Sequence, residues 1–378
     1  MNKKKLSHSG LQSSVTSVMA ALLCIVIGMA VGFLVLLAIN PAHAWGDGFV
    51  RIIKGGFHDA PYGVGKELAN AAPLVMTGLS VGFAFKTGLF NIGAAGQYCA
   101  GAGMALYAAL AWHMPWWLCM IMAMLGGALL GVISGLLKSY CNVNEVISGI
   151  MLNWITLYVV NILLTNVKEA ASPYTMPVAH VNGGAIIPSL GLGKLFNNNQ
   201  YVTLAIPLAI LIAVGLHILL EKTRLGYELK ATGNNKNAAK YCGMAERRNL
   251  ILTLAIGGAL AGLGAAMLYL TGYEQWQCSQ SSVPAMGFNG IAAAFLGGLN
   301  PIGTILASFF IQHITIGGAY VDKTMYCAQV SDLISAIIIY LCGFVLFMKY
   351  AMNRGIARRE EKAAARAAAA QTEKGGEK

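Results

Sequence analysis

Residues 221–248 read EKTRLGYELKATGNNKNAAKYCGMAERR, from Glu221 to Arg248. The segment holds seven Lys/Arg (Lys222, Arg224, Lys230, Lys236, Lys240, Arg247, Arg248) against three Glu (Glu221, Glu228, Glu246). On either side lie stretches without Asp, Glu, Lys or Arg, Tyr201 to Leu220 and Asn249 to Tyr273. A helix needs about 20 apolar residues to cross the hydrocarbon core, and both stretches provide them. The fold is therefore a set of membrane spans with a charged island held between two of them. The island has glycines, a run of small residues and a net positive charge. Those features describe either a docking handle for another protein or a basic loop drawn to anionic lipid headgroups.

The rest of the chain agrees with a membrane protein. Hydrophobic residues make up 57% of its 378 residues and charged ones 11%, against about 25% charge in a soluble domain. Mean hydropathy is +0.62. No charged residue falls between Lys86 and Lys138, or between Glu274 and Asp322. The 45 glycines give small residues for close packing between membrane helices. The net charge of +11 does not indicate nucleic acid, because the charges flank apolar runs, which is how membrane proteins signal orientation. Eight cysteines are scattered without a C-x-x-C pair, so neither a metal site nor a redox motif is indicated. The apolar run from Val15 to Ile39 exceeds the roughly 7–15 residues of a secretory signal core and reads as a retained first span, despite the A-x-A-like Ala42-His43-Ala44.

Apolar runs give about ten spans, near 15–39, 67–85, 94–113, 116–137, 145–165, 200–220, 249–271, 286–299, 301–317 and 331–349. The second is interrupted by Gly78 and Gly82. The eighth and ninth are short and separated only by Asn300-Pro301-Ile302-Gly303. With both termini in the cytoplasm, 20 of the 26 Lys+Arg fall on the cytoplasmic side, as the positive-inside preference requires. The expectation is an all-α polytopic membrane protein. It has a cytoplasmic N-terminus (1–14), a transmembrane domain (15–350) carrying the 221–248 segment, and a basic Ala-rich cytoplasmic tail (351–378). In this topology Cys278 and Cys327 both face outside, which permits either a disulfide or two unrelated packing thiols.

Several polar motifs interrupt the spans. Thr87 to Gln97 reads TGLFNIGAAGQ; its glycines and amides, with Asn91 and Gln97 foremost, describe a cytoplasmic turn or a gate beside the pathway. Irregular backbone is tolerated at membrane depth only where it faces protein or a water-filled cavity. Gly88-Leu-Phe-Asn-Ile-Gly93 and Gly298-Leu-Asn-Pro-Ile-Gly303 share the spacing G-L-x-x-I-G, which fits either an inverted repeat of two five-helix halves or chance similarity in Gly-rich sequence. Asn144 to Trp154 reads NEVISGIMLNW. There Asn144 can cap a helix and Glu145 can favour its positive end, while Asn153, two turns deeper, must find a partner or line a wet path. Asn300 is a further amide at a span junction. No H-E-x-x-H or G-x-x-x-x-G-K-[ST] motif occurs. There is no paired-carboxylate relay within the spans, so uphill transport would draw its energy from another polypeptide.

The island's pattern T-R-x-G-x-x-L-x-A-x-G-x-N-x-x-A-A-x-x-x-G-M, followed by Ile256 to Ala265, resembles the membrane permeases of bacterial ABC importers. The similar branch contains sugar, branched-chain amino acid and nucleoside permeases. G-L-F-N-I-G-A-x-G-Q (88–97) and N-E-V-I-S-x-I-M-L-N (144–153) narrow the resemblance to nucleoside-type and simple-sugar permeases, over about 70–310. It implies that the island is a coupling segment. Leu225, Gly226, Ala231, Gly233, Asn237, Ala238, Ala239 and Gly243 would then meet an ATP-binding subunit through a short helix near 237–243. It also implies a second permease chain, an extracytoplasmic substrate-binding protein and a cytoplasmic-membrane location. No catalytic site, metal or cofactor is expected in this chain, the ATP being used by the partner. One departure is Ala95, where the resembled motif often has Glu.

The resulting expectation is a nucleoside permease working by alternating access, with Asn91, Gln97, Asn144, Glu145, Asn153 and Asn300 along the pathway or its gates. Permeation of simple sugars such as ribose or galactose is the second reading. A self-sufficient carrier or channel, with the island merely binding lipid, is the reading of another class.

Overall fold

The computed structural model describes residues 3–321, then 326, 333–334, 336–337, 340–341, 343–345, 347–355 and 358, with the first helix's side chains described at Thr16 and from Met19 onward. The helices are α1 (Lys3–Ile39), α2 (Arg51–Lys54), α3 (Tyr62–Lys86), α4 (Ala94–Leu110), α5 (Trp116–Cys141), α6 (Glu145–Thr165) and α7 (Val178–Val181). They continue with α8 (Ala205–Lys222), α9 (Arg224–Asn234), α10 (Lys236–Tyr241), α11 (Glu246–Tyr269), α12 (Ala285–Leu296) and α13 (Pro301–Ala319). Among the described residues no strand forms; an isolated bridge Lys168–Thr175 closes within the connection 166–204, and a second, Tyr174–Gln277, ties that connection to 270–284.

Among the described residues, seven helices are long and apolar enough to cross a membrane: α1 from Met19, α3, α5, α6, α8, α11 and α13. Helices also occupy the expected third and eighth spans, but they are short. At about 1.5 Å per residue, the 12 residues of α12 cover roughly 18 Å of a core about 30 Å thick. The tenth expected span, 331–349, is described only in part, and Cys327 and most of the tail lie outside the described residues. Gly78 and Gly82 do not interrupt α3, which is continuous. They let neighbours approach instead, since a Cβ at Gly78 would lie 2.6 Å from Thr304 Cγ2.

Packing is built on small residues. Gly127, Gly131 and Gly135 repeat every four residues along α5, so they share one face. A Cβ at any of them would strike backbone of α11, at Gly258, Leu254 or Ile251. Without a hydrophobic drive between helices in lipid, such close contact supplies the dispersion energy that joins them. Helix α3 runs through the centre and is buried almost throughout, including the polar Glu67, Asn70, Thr77 and Ser80.

Two ends can be distinguished. At one, Lys86 at the end of α3 and Lys230 of α9 both bind Glu221, each at 3.2 Å. The Arg247 guanidinium lies over the Tyr140 ring, 4.9 Å from its centroid. The start of α1 belongs to this end, where Ala21 and Leu22 line a groove with Gly297 and Gly298. At the far end, Glu67 Oε1 accepts from the Gly56 amide and lies 2.8 Å from His313 Nδ1, while His313 Nε2 lies 2.8 Å from the Ile53 carbonyl.

Candidate functional site

Helix α3 reaches the island end, and the chain then turns back inward before α4 begins. Gly88 sits at that end, with positive φ, against the backbone of Gly233. Three residues later Asn91 is level with Gly257, halfway along the 24-residue α11. Its Nδ2 donates to Ser80 Oγ at 3.0 Å and to Gln97 Oε1 at 2.7 Å. From α6, Asn153 Oδ1 accepts from the Gly96 amide at 2.7 Å and its Nδ2 donates to the Ile92 carbonyl at 3.1 Å. Irregular backbone at this depth is thus satisfied by a side-chain amide. Asn91, Gln97 and Asn153 are all buried.

From the opposite direction the connection 270–284 dips inward, and α12 begins level with the middle of α3. Thr77 Oγ1 donates to the Met286 carbonyl at 3.2 Å, and a Cβ at Gly290 would lie 2.7–2.8 Å from Thr77. Gly287 in the first turn of α12 faces Ala95 in the first turn of α4 so closely that a Cβ there would overlap the Ala95 backbone. Two shortened helices therefore meet start to start in the interior and run away toward opposite ends. α12 ends beside α3's last turn, with the Phe85 and Phe295 rings 5.2 Å apart. The G-L-x-x-I-G echo accordingly falls at unlike places, before α4 in one case and after α12 in the other.

On the far side of this meeting lies a cavity of about 610 Å³ whose floor includes Pro284, Ala285 and Met286. Its walls carry Lys66 and Asn70 of α3, Tyr98 of α4, Tyr269 of α11, Tyr273, Glu274 and Gln280 of the connection, Asn289 of α12 and Gln312 of α13. The Lys66 ammonium stands over the Tyr273 ring, 5.7 Å from its centroid. Asn161 braces the connection, accepting from Trp276 Nε1 at 2.9 Å and donating to the Gln280 carbonyl at 2.9 Å. Glu274 keeps part of its surface open, yet burial by the surrounding protein pushes its carboxyl above the usual carboxylate range. Buried polar atoms without a protein partner include Tyr98 Oη, Gln97 Nε2 and Gln280 Nε2.

Not all of the expected pathway residues converge here. Asn91, Gln97 and Asn153 form the interior cluster. Asn144 caps α6, accepting from the Val146 amide at 2.8 Å, and Glu145 pairs with Lys138 at 2.7 Å, both at the island end. Asn300 caps α13 through the Ile302 amide at 3.1 Å. The cavity residues Tyr98, Tyr273, Glu274, Asn289 and Gln312 were not anticipated. The available signal was their polarity inside otherwise uncharged runs.

The island folds as two helices: α10 is the short helix expected near 237–243, and α9 precedes it. Thr223 caps α9 and Asn235 caps α10, their side chains accepting from the Gly226 and Ala238 amides. Gly226 is buried under the Leu219 carbonyl, Leu229 and Thr232 face inward, and Thr232 Oγ1 accepts from Asn249 Nδ2 at 2.8 Å. Leu225 packs against the core, and Ala231 and Gly233 are half-buried. Asn237 and Ala238 are exposed, Ala239 is buried, and Gly243 takes the positive φ that ends the segment. Tyr241 on α10 is 94% exposed.

Residues 65–343 match the family model described as the branched-chain amino acid transport system permease component. The chain belongs to that permease family. It is 32% identical over 358 residues to the guanosine ABC transporter permease protein NupP of Bacillus subtilis, covering 93% of this chain and 97% of that one. It is also 32% identical over 335 residues to the nucleoside ABC transporter permease protein NupB of Lactococcus lactis, covering 85% and 90% of the two chains. With the glucose ABC transporter permease protein TsgB13 of Haloferax volcanii the identity is 28% over 349 residues, covering 89% and 90%. This permease is thus a multi-pass membrane protein of the nucleoside and sugar group of ABC transporter permeases.

Proposed function

We propose that this permease imports nucleosides across the cytoplasmic membrane by alternating access, driven by a separate ATP-binding subunit. The cavity over the α4–α12 meeting carries the reading. Its tyrosines offer faces for a flat base, and its amides and carboxylate offer partners for a polyhydroxylated sugar, the mix of apolar walls and few polar groups found in small-molecule sites. The names of the 32%-identical relatives point to the same substrates. In this reading the island and both termini are cytoplasmic, in keeping with the positive-inside preference. The α9–α10 pair docks on the ATPase, and Gly88 against Gly233 passes its movement to the α3–α4 bend. Asn91, Gln97 and Asn153 hold that bend as a hinge, while Asn144, Glu145 and Asn300 brace the island end. The matched starts of α4 and α12 fit two five-helix halves of inverted topology. A second permease chain and an extracytoplasmic binding protein complete the transporter.

The likeness to a glucose permease makes simple sugars the second reading. Uptake of radiolabelled adenosine, guanosine, ribose and glucose by a strain lacking this chain, with and without its restoration, tests both. Restored nucleoside uptake is the expected result, and restored sugar uptake alone would transfer the assignment. Retention of an ATPase through solubilisation and purification separates either reading from a self-sufficient carrier.

A further inference from the structure

Tyr98 is wholly buried and its hydroxyl has no hydrogen-bond partner, an arrangement that folded proteins rarely keep without a reason. It lines the far-side cavity together with Glu274 and Gln280. Glu274 is exposed, and it forms no hydrogen bond or ion pair with any described residue. Gln280 Nε2 is buried and likewise unpartnered. The three side chains thus line one cavity with two donors and one acceptor among them, and none satisfies another.

A group that joins them must accept from the phenol or the amide and donate to the carboxylate. An alcohol does both. A phosphate monoester dianion has no proton to donate and would meet the carboxylate's like charge, and an aliphatic group can do neither. Vicinal hydroxyls on a neutral ring present two such groups at once. We propose that Tyr98, Gln280 and Glu274 form a hydroxyl-reading subsite that holds the ribose of the substrate, so that the permease itself selects ribonucleosides over deoxynucleosides. The subsite rests on the nucleoside reading of the cavity. It leaves the Tyr269 and Tyr273 rings to the base. A site built to bond a substrate hydroxyl rejects the analogue lacking it, because its own polar groups are then left unpaired.

The test uses the complete transporter with its own ATPase and binding protein, and compares uptake of labelled adenosine, 2′-deoxyadenosine and 3′-deoxyadenosine. Wild type, Tyr98→Phe and Glu274→Gln are compared at equal membrane abundance. Because the binding protein is unchanged, a shift in the ratio of substrates belongs to the permease. Both variants are expected to reduce the preference for adenosine over the deoxy compounds about tenfold, chiefly by slowing adenosine. If Tyr98→Phe fails to accumulate, Glu274→Gln at the more open position decides. Equal slowing of all three substrates, or no change in the ratio, would overturn the subsite and leave a water as the partner of Tyr98. Wild type carrying none of the three would instead refute nucleoside import, and the subsite with it.

Discussion

Asn153 and Gly96 are joined by a 2.7 Å hydrogen bond from the Gly96 amide to Asn153 Oδ1, and the same side chain reaches back to the Ile92 carbonyl. One residue of α6 thereby pins both sides of the break that precedes α4. Gly96 has no room for a side chain, since a Cβ would lie 2.7 Å from that oxygen.

Asn153→Leu keeps the branched shape and the number of heavy atoms but leaves an amide and a carbonyl unpaired, at about 1–3 kcal/mol for each buried group. The variant is expected to unfold at a lower temperature in detergent and to accumulate poorly in membranes. Thermal unfolding at the wild-type temperature would refute the pinning role.

Gly233→Ala acts at the other end of the same bend. A Cβ there would fall on the Thr87 carbonyl and within 2.7 Å of the Gly88 nitrogen, all main chain that cannot rotate away. The expected result is a folded protein whose uptake drops at least tenfold while ATP hydrolysis by the complex continues. Wild-type uptake would show that this contact transmits nothing.

Tyr241 projects almost entirely into solvent from α10, and buried tyrosines are frequent anchors at protein interfaces. Tyr241→Ala is expected to leave thermal stability within about 0.5 kcal/mol of wild type, as for a surface change, while the ATPase subunit is lost during co-purification. Full retention of the subunit would place the docking contact elsewhere.

Glu274 gives opposite signs for stability and transport. Its carboxyl titrates higher in the folded protein than in the unfolded chain, so the folded state binds the proton more tightly. That contribution is full below the unfolded value and is lost as pH rises through the folded one. It is small, because the side chain is partly open to solvent. Uptake runs the other way, since protonation weakens the carboxylate as an acceptor. Lowering the outer pH through this range should slow uptake without lowering the unfolding temperature, and Glu274→Gln should flatten the uptake profile. An unchanged profile in that variant would remove Glu274 from the pathway.

The helical membrane architecture was legible because charge is excluded from the spans and gathered between them, most plainly around 221–248. Asn91, Gln97 and Asn153 were legible for a related reason: an amide inside an apolar run must have a partner. Depth was not legible. The run through 286–299 and Asn300-Pro301 reads as ordinary span and turn, and composition does not reveal that α12 starts in the interior. Only after the 270–284 connection dips does Glu274 share a cavity with Tyr98, which lies some 175 residues earlier in the chain. Asn144 and Asn300 carried the same amide signal as Asn91, but their neighbours make them helix caps. Ala95 is wholly buried, with Gly287 of α12 packed against its backbone.

The meeting of α4 and α12 has an electrical consequence. Each helix presents its N-terminus to the interior, with no acidic residue in its first turn to offset it, and each such end carries roughly half a positive elementary charge. The point where the two helices meet is therefore positive on both sides. Sodium, potassium and hydronium ions meet a repulsive barrier there, while an uncharged solute does not. In the import reading proposed above, a pathway closed by two such ends opens for an uncharged cargo without discharging the membrane potential.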